Sequence, residues 1–446
     1  MSPQQLISRI YNKRINILIL TSIILLYFFS FFQRIAVPGT IFNELQTDFA
    51  VSAAVVTSLG AIYLYMYAGT QVFTGILADR FGSARVLIIG GVLMAIGSIC
   101  FPLCTSLTPL YLSRAVIGLG ASLMFITMVK EISLLFSSRN FTLIMGIALF
   151  LGYSGGLVGT LPLERAVVAF GWRKSLFVIG LLCSLTLICT FIFLVKTKRT
   201  HDKGALSATA IKDVICNKAA LPTLICASIN FAIYFLLQAS IGKKLLQDCC
   251  QFTSQSAAGF TFIMMLVIMI SAFIFGFSSR LLGGNHRLII SISAGIMLFA
   301  TVLMIISLTL HLANKWILLC YILFGCAAGT SPIYCASMRD LNPPESFGTS
   351  LGVLNGASYF AIAILSTFAG FILDMFDSQI AHASGITVYP IQAYVSILIL
   401  CLILAIIAFY LSFFVAQSPS PVQDLTVLDE TEMYCSKWNC RQRYNK

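Results

Sequence analysis

Twelve long apolar runs cut the 446-residue chain into helix-sized pieces, and they constrain the fold more than any single residue does. They cover 17–42, 52–77, 86–104, 109–129, 142–162, 174–195, 219–241, 257–278, 288–310, 315–336, 348–372 and 391–415. Each is long enough to cross the hydrocarbon of a bilayer, which takes about 20 apolar residues in a helix. Charged residues are 10% of the chain and hydrophobic ones 59%, whereas a soluble domain carries about 25% charged residues. Too little polar surface exists to cover a soluble core, so lipid is the solvent. In lipid each segment must satisfy its backbone within itself. The expectation is an all-α membrane protein of twelve transmembrane helices, an integral multi-pass protein.

The net charge of +12 points to topology rather than to nucleic acid, because the basic residues sit in the short gaps. With alternating gaps, twenty Lys and Arg residues fall on the side of the N-terminus and six on the other. The positive-inside bias then puts both termini and the central gap in the cytoplasm. That central gap, 196–218, holds six lysines and arginines. It divides an N-terminal six-helix bundle (1–195) from a C-terminal one (219–415), and a polar tail, 416–446, follows. The start of the chain lacks the short apolar region and cleavage site of a signal peptide. The fourteen cysteines are scattered and read as inert thiols.

Three local patterns carry family information. The gap after helix two holds Gly75, Asp79, Arg80, Gly82 and Arg85; helix four holds Arg114, Gly118, Gly120 and Ala121; Gly171, Trp172 and Arg173 precede helix six. Together these resemble the major facilitator superfamily, with its GxLaDRxGxRR-type loop and its RxxxGxG element. The resemblance covers about 17–415 and implies two pseudo-symmetric six-helix bundles. It implies that Asp79 meets the N-terminus of helix eleven near Thr349 and Ser350, where a carboxylate complements orphan N–H groups and the helix dipole. It also implies that Arg80 or Arg85 pairs with Glu131, and that Asp79, Arg80, Arg85, Glu131, Gly75 and Gly82 form a gate on the cytoplasmic side. The plain alternative is a solvated turn with topogenic charges. The matching gap after helix eight repeats the pattern with Ser279 in place of the acid, so a second latch is expected to be weaker or absent. The glycines of helix five, Gly146, Gly155, Gly156 and Gly159, resemble those of drug–proton antiporters, but Thr160 stands where a proline belongs. They read better as small residues for close helix packing.

Arg34 and Arg114 are the two basic residues in the interior of the expected helices, Lys174 and Lys315 only opening theirs, and no Asp, Glu or His falls inside them. A cation at that depth costs roughly 2.5–3.5 kcal/mol on insertion scales and marks a functional position. Its compensation must come from water in a cavity, helix carbonyls or an anionic substrate. The string from Phe32 to Pro38 is similar to the helix-one arginine region of organophosphate and organic-anion branches of the superfamily. The second arginine of phosphate carriers is missing from helix seven, where Leu237 and Gln238 stand. Polar side chains at helical spacing add cavity walls: Asn230, Tyr234 and Gln238 on helix seven, Tyr63, Tyr67 and Gln71 on helix two, Asn355 and Tyr359 on helix eleven. Such residues also bond neighbouring helices.

No catalytic motif occurs: no nucleophile elbow, phosphate loop or metal-binding HExxH. The chain is therefore expected not to be an enzyme and to need no cofactor or metal. The expected function is secondary transport of a small anionic metabolite by alternating access. Arg34 is the counter-charge, Arg114 the second candidate, and Tyr63, Tyr67, Asn230, Tyr234, Gln238, Asn355 and Tyr359 the hydrogen-bonding contacts. The expected partners are the lipid bilayer, the small-molecule substrate and a coupling ion, with no nucleic acid; the chain is expected to work as a monomer, in a bacterial inner membrane. Glu44, Glu131 and Asp374 are the peripheral acids open to a coupling role. Two other readings are proton-coupled efflux of drug-like or cationic compounds, which needs an acid in the membrane, and a membrane sensor that moves no solute.

Overall fold

Apolar runs with no water around them close their backbone hydrogen bonds internally, and here they do so as helices. A computed structural model describes residues 3–136, 138–195, 214–281, 285–343, 347–380 and 386–416. Twelve helices among these are long and apolar enough to cross a membrane: Ile15–Ala36, Ala53–Gln71, Ser83–Leu103, Leu107–Leu135, Ile144–Phe170, Trp172–Leu194, Leu221–Ala239, Ser254–Ser278, His286–Thr309, Asn314–Asp340, Gly348–Asp374 and Ile391–Ser412. They are called helices one to twelve below. Most of the central gap and nearly all of the tail lie outside the described residues.

The helix ends differ from the apolar windows in an informative way. Helix one stops at Ala36, and after Pro38 a short helix, Phe42–Phe49, follows. Helix seven stops at Ala239 and is followed by the short helix Gly242–Cys250. Helices four, five and ten run further than expected, but each is interrupted, at Leu123, near Thr160 and near Thr330. Pro162 and Pro332 sit in the first turn after the second and third of these breaks, where a missing N–H costs nothing. Broken helices at membrane depth are tolerated where protein surrounds them or they line a cavity. The longer helices bring Glu131, Glu164, Asp340 and Asp374 inside candidate spans, which corrects the expectation that no acid lies there. An apolar window ends at the first charge, whereas a helix continues as long as that charge finds a partner in the protein.

Helix two packs along helix eleven, helix one against five, helix four against two and three, seven against eleven, and nine against ten and twelve. Leu185, Ile188, Phe191 and Ile192 of helix six project outward, each about half exposed, as a lipid-facing surface would. Between helices eleven and twelve, Gln379–Ile380 pairs antiparallel with Thr387–Val388. Gly82 takes φ 88° between helices two and three, a conformation that costs glycine little. Gly75, expected in the same turn, lies inside a helix that continues to Phe81.

The glycine of the helix-four element has a packing role. A Cβ on Gly118 would stand 2.4 Å from the Tyr63 carbonyl oxygen, so only glycine lets helices two and four approach this closely. Gly118→Val is expected to cost about 1–3 kcal/mol through overpacking. Thermal unfolding of the detergent-solubilised protein checks this; an unchanged midpoint contradicts the packing role.

Candidate functional site

A cavity of about 440 Å³ lies between the helices. Its wall draws Tyr67 from helix two, Phe125 from four, Gly146 and Tyr153 from five, Met265 and Phe273 from eight, Tyr334 from ten, and Leu351, Asn355 and Tyr359 from eleven. Most of the lining comes from the half of its helix nearer the chain termini, while Phe31, Tyr234, Phe235 and Met265 come from the other half. The wall is mostly aromatic, aliphatic and Met, and among the described lining residues there is no Asp, Glu, Lys or Arg. Ligand sites usually combine such an apolar lining with a few placed polar groups.

Arg34 sits at the closed end of this cavity, behind its aromatic floor. It is 3% exposed. Its guanidinium carbon lies 4.4 Å from the ring centre of Phe31, 4.6 Å from Tyr67 and 4.5 Å from Tyr359, and those three rings also line the cavity. A desolvated cation–π contact contributes about 2 kcal/mol, so the rings offset much of the burial cost. Arg34 Nη1 donates to the Tyr359 hydroxyl. Nε and Nη2 are buried without a partner. Arg34 also borders a small void on the far side of the floor, with Thr57, Ser240 and Ser366.

Arg114 has a different environment. It is wholly buried, and all three guanidinium nitrogens are engaged: Nη1 with Gln33 O at 3.1 Å, Nη2 with Val37 O at 3.1 Å, Nε with Leu59 O at 3.3 Å. Tyr63 stacks on it at 4.7 Å. Two of those carbonyls close the end of helix one, where orphan acceptors and the negative pole of the helix attract a cation. Arg114 thus ties helix four to the end of helix one and to helix two, and does not line the cavity.

The expected polar wall divides likewise. Tyr67, Tyr234, Asn355 and Tyr359 line the cavity. Tyr63 donates to Ser30 O at 3.1 Å, and Gln238 donates to Thr261 O at 3.0 Å. Asn230 donates to the Tyr334 hydroxyl at 2.6 Å and to Ser293 at 3.2 Å. These three stand behind the wall. Tyr153, Tyr334 and Met265 line the cavity without having been singled out, because an isolated Tyr or Met in an apolar run looks like core.

The expected gate on the terminal side is described only in part. Glu131 is buried and accepts from Ser83 Oγ at 2.6 Å. Arg80 and Arg85 are exposed, Arg80 against the Phe81 ring at 5.5 Å. The Asp79 side chain, and with it the expected contact to helix eleven, lies outside the described residues.

The opposite side is closed by contacts between the first six helices and the last six. Lys243 of the short helix Gly242–Cys250 forms a buried ion pair with Glu164 and also donates to Thr40 O. The Asp374 carboxylate accepts from Ala53 N and Ala54 N, both at 2.9 Å. It thereby caps the start of helix two from helix eleven. Gln46 donates to the Tyr389 hydroxyl at 3.1 Å and Asn43 to Gln247 at 3.1 Å. Lys243 and Glu164 were not expected as a pair; they stand 79 residues apart, and no periodicity joins them.

The model of the Major Facilitator Superfamily matches residues 23–329. The chain is 24% identical over 364 residues to the human lysosomal dipeptide transporter MFSD1, covering 76% of each protein. It is 30% identical over 144 residues to chicken monocarboxylate transporter 4, covering 31% of this chain and 29% of that one. Two solved structures share the fold. A bacterial homologue of the human lysosomal transporter Spinster, inward-facing and unoccupied, aligns with a TM-score of 0.69 at 16% identity over 91% of this chain and 99% of that one. A peptide transporter bound to alafosfalin aligns with a TM-score of 0.70 at 15% identity over 89% and 94%. With twelve membrane-crossing helices and a family match over most of its length, the chain belongs to the Major Facilitator Superfamily, and it is a multi-pass membrane transporter.

Proposed function

We propose that the protein carries a small organic anion across the membrane by alternating access, with Arg34 as the counter-charge. The carrying observation is the state of Arg34: a buried guanidinium with two unpartnered nitrogens, held by rings that form the floor of a cavity without charge in its described lining. Buried donors left unpaired are costly, and a carboxylate arriving through the aromatic floor satisfies both at once. The apolar wall favours a monoanion with an apolar body. A cationic solute would need an acid in the wall, and the described lining has none. The partial likeness to a monocarboxylate transporter supports the same chemistry.

The cycle follows from the asymmetry of the seam. In this state the cavity reaches toward the terminal side, which the Lys and Arg distribution assigns to the cytoplasm, while side-chain contacts hold the far side shut. The two halves, 1–195 and 219–415, rock about the central site, as in transporters built from repeats. Substrate drives the change only through its differential affinity for the two states.

Arg34→Gln removes the charge and keeps a polar side chain. Losing a buried charge-assisted contact costs about 2 kcal/mol or more, so KM for an organic monoanion is expected to rise at least about 30-fold in vesicle uptake. An unchanged KM with folded protein overturns the anion reading. Asp374→Ala removes the cap that joins helix eleven to helix two. A cap is worth about 1 kcal/mol, so the population open on the far side is expected to rise about fivefold, measured by spin-label distances across that side. A population that stays constant refutes the assigned role of Asp374.

A further inference from the structure

We propose that Glu44 is a proton-binding site at the far-side seam, and that the bound proton holds that side closed. Among the described residues, the charges around it leave Glu44 without a cation of its own. On its own short helix, Asp48 pairs with Arg173 at 3.4 Å. From the short helix Gly242–Cys250, Lys244 pairs with Asp248 at 2.9 Å, while Lys243 pairs with Glu164. From helix eleven and the loop beyond it, Asp374 is engaged by the start of helix two, and the Tyr389 hydroxyl bonds Gln46. Arg165, next to Glu164, is exposed. Among the described residues, three cations thus meet Asp48, Asp248 and Glu164, and backbone N–H groups meet Asp374. Glu44 is the fifth carboxylate, with no cation paired to it among those residues.

Two carboxylate oxygens in this cluster lack partners, Glu44 Oε2 and Glu164 Oε1, as do the amide oxygens of Asn43 and Gln46 on the same short helix as Glu44. Glu164 is wholly buried and Glu44 partly so. Both carboxylates lie in the field of Lys243, and Glu44 also feels Lys244, which is itself paired with Asp248. A proton on Glu44 removes the excess negative charge and supplies an O–H donor to a cluster whose free atoms are all acceptors. The step is a simple protonation: the carboxylate takes a proton from the water on the far side, and no other bond changes. Burial raises the Glu44 carboxyl above its ordinary value, against the opposing pull of Lys243. Opening the seam admits water and removes that cause, so the closed state binds the proton more tightly than the open one. By linkage the closed state is favoured as pH falls, and that advantage is lost as pH rises through the closed-state value.

The proposal rests on alternating access but not on the identity of the substrate. Its test uses the full chain in lipid vesicles, with spin labels introduced as unnatural amino acids at the exposed positions Val168 and Leu310, and distances measured as pH is varied. In the wild type, the ratio of closed to open far side is expected to rise as pH falls, by at most about tenfold per pH unit for one proton. Glu44→Gln, which mimics the protonated acid, is expected to stay closed at every pH. Lys243→Met, with Asp374→Ala as a second opener, is expected to populate the open far side. If the openers separate the labels but the wild type ignores pH, alternating access stands and the proton site is wrong. A pH response that persists in Glu44→Gln also overturns the site. If the labels move in no variant and at no pH, alternating access fails, and this proposal fails with it.

Discussion

A polar group buried in a membrane protein cannot turn to water, so it must be answered from within the chain. The arrangement of this transporter follows from how each buried charge meets that demand. Arg114 takes three carbonyl oxygens and becomes a brace among helices one, two and four. Arg34, deep in helix one, finds one hydroxyl and three ring faces, and keeps two donors unspent. The same residue type at similar burial thus gives a structural tie in one place and a cation with unpaired donors beside a cavity in the other. The difference lies in what the neighbouring helix ends offer.

The seam between the two halves follows the same rule. On the far side, each cross-seam contact answers a specific unsatisfied group: the N–H groups that begin helix two meet Asp374, and the Lys243 ammonium meets Glu164. These contacts are directional, and in the proposed cycle they are exchanged for water as that side opens. The cavity side offers a wide apolar and aromatic wall instead. A wall of that kind is indifferent to the exact position of an apolar body.

A desolvated ion pair adds little net stability compared with an apolar pair of the same shape, but breaking it by removing one partner is costly. The Glu164–Lys243 pair is therefore better suited to defining a state than to strengthening the fold. Glu44 beside it adds a charge whose cost depends on whether the seam is dry. That dependence is what connects proton binding to the position of the halves.

The sequence by itself determined the twelve crossings, the side bearing most of the positive charge, the superfamily elements around Asp79 and Arg114, and the presence of Arg34 at membrane depth. Those features depend on local quantities: the length of an apolar run, the count of Lys and Arg in a gap, the spacing of glycines. Half of the expected cavity wall was legible in the same way, in Tyr67, Tyr234, Asn355 and Tyr359, although the same helical spacing marked Tyr63, Asn230 and Gln238 as well. Only the tertiary structure decided that Tyr63, Asn230 and Gln238 stand behind that wall and that Arg114 is saturated by carbonyls. It also decided that Glu164, two residues beyond an apolar window, lies opposite Lys243. The reason is that a partner for a buried charge is chosen by how helices far apart in the chain pack together, and neither periodicity nor composition encodes which helix ends will meet.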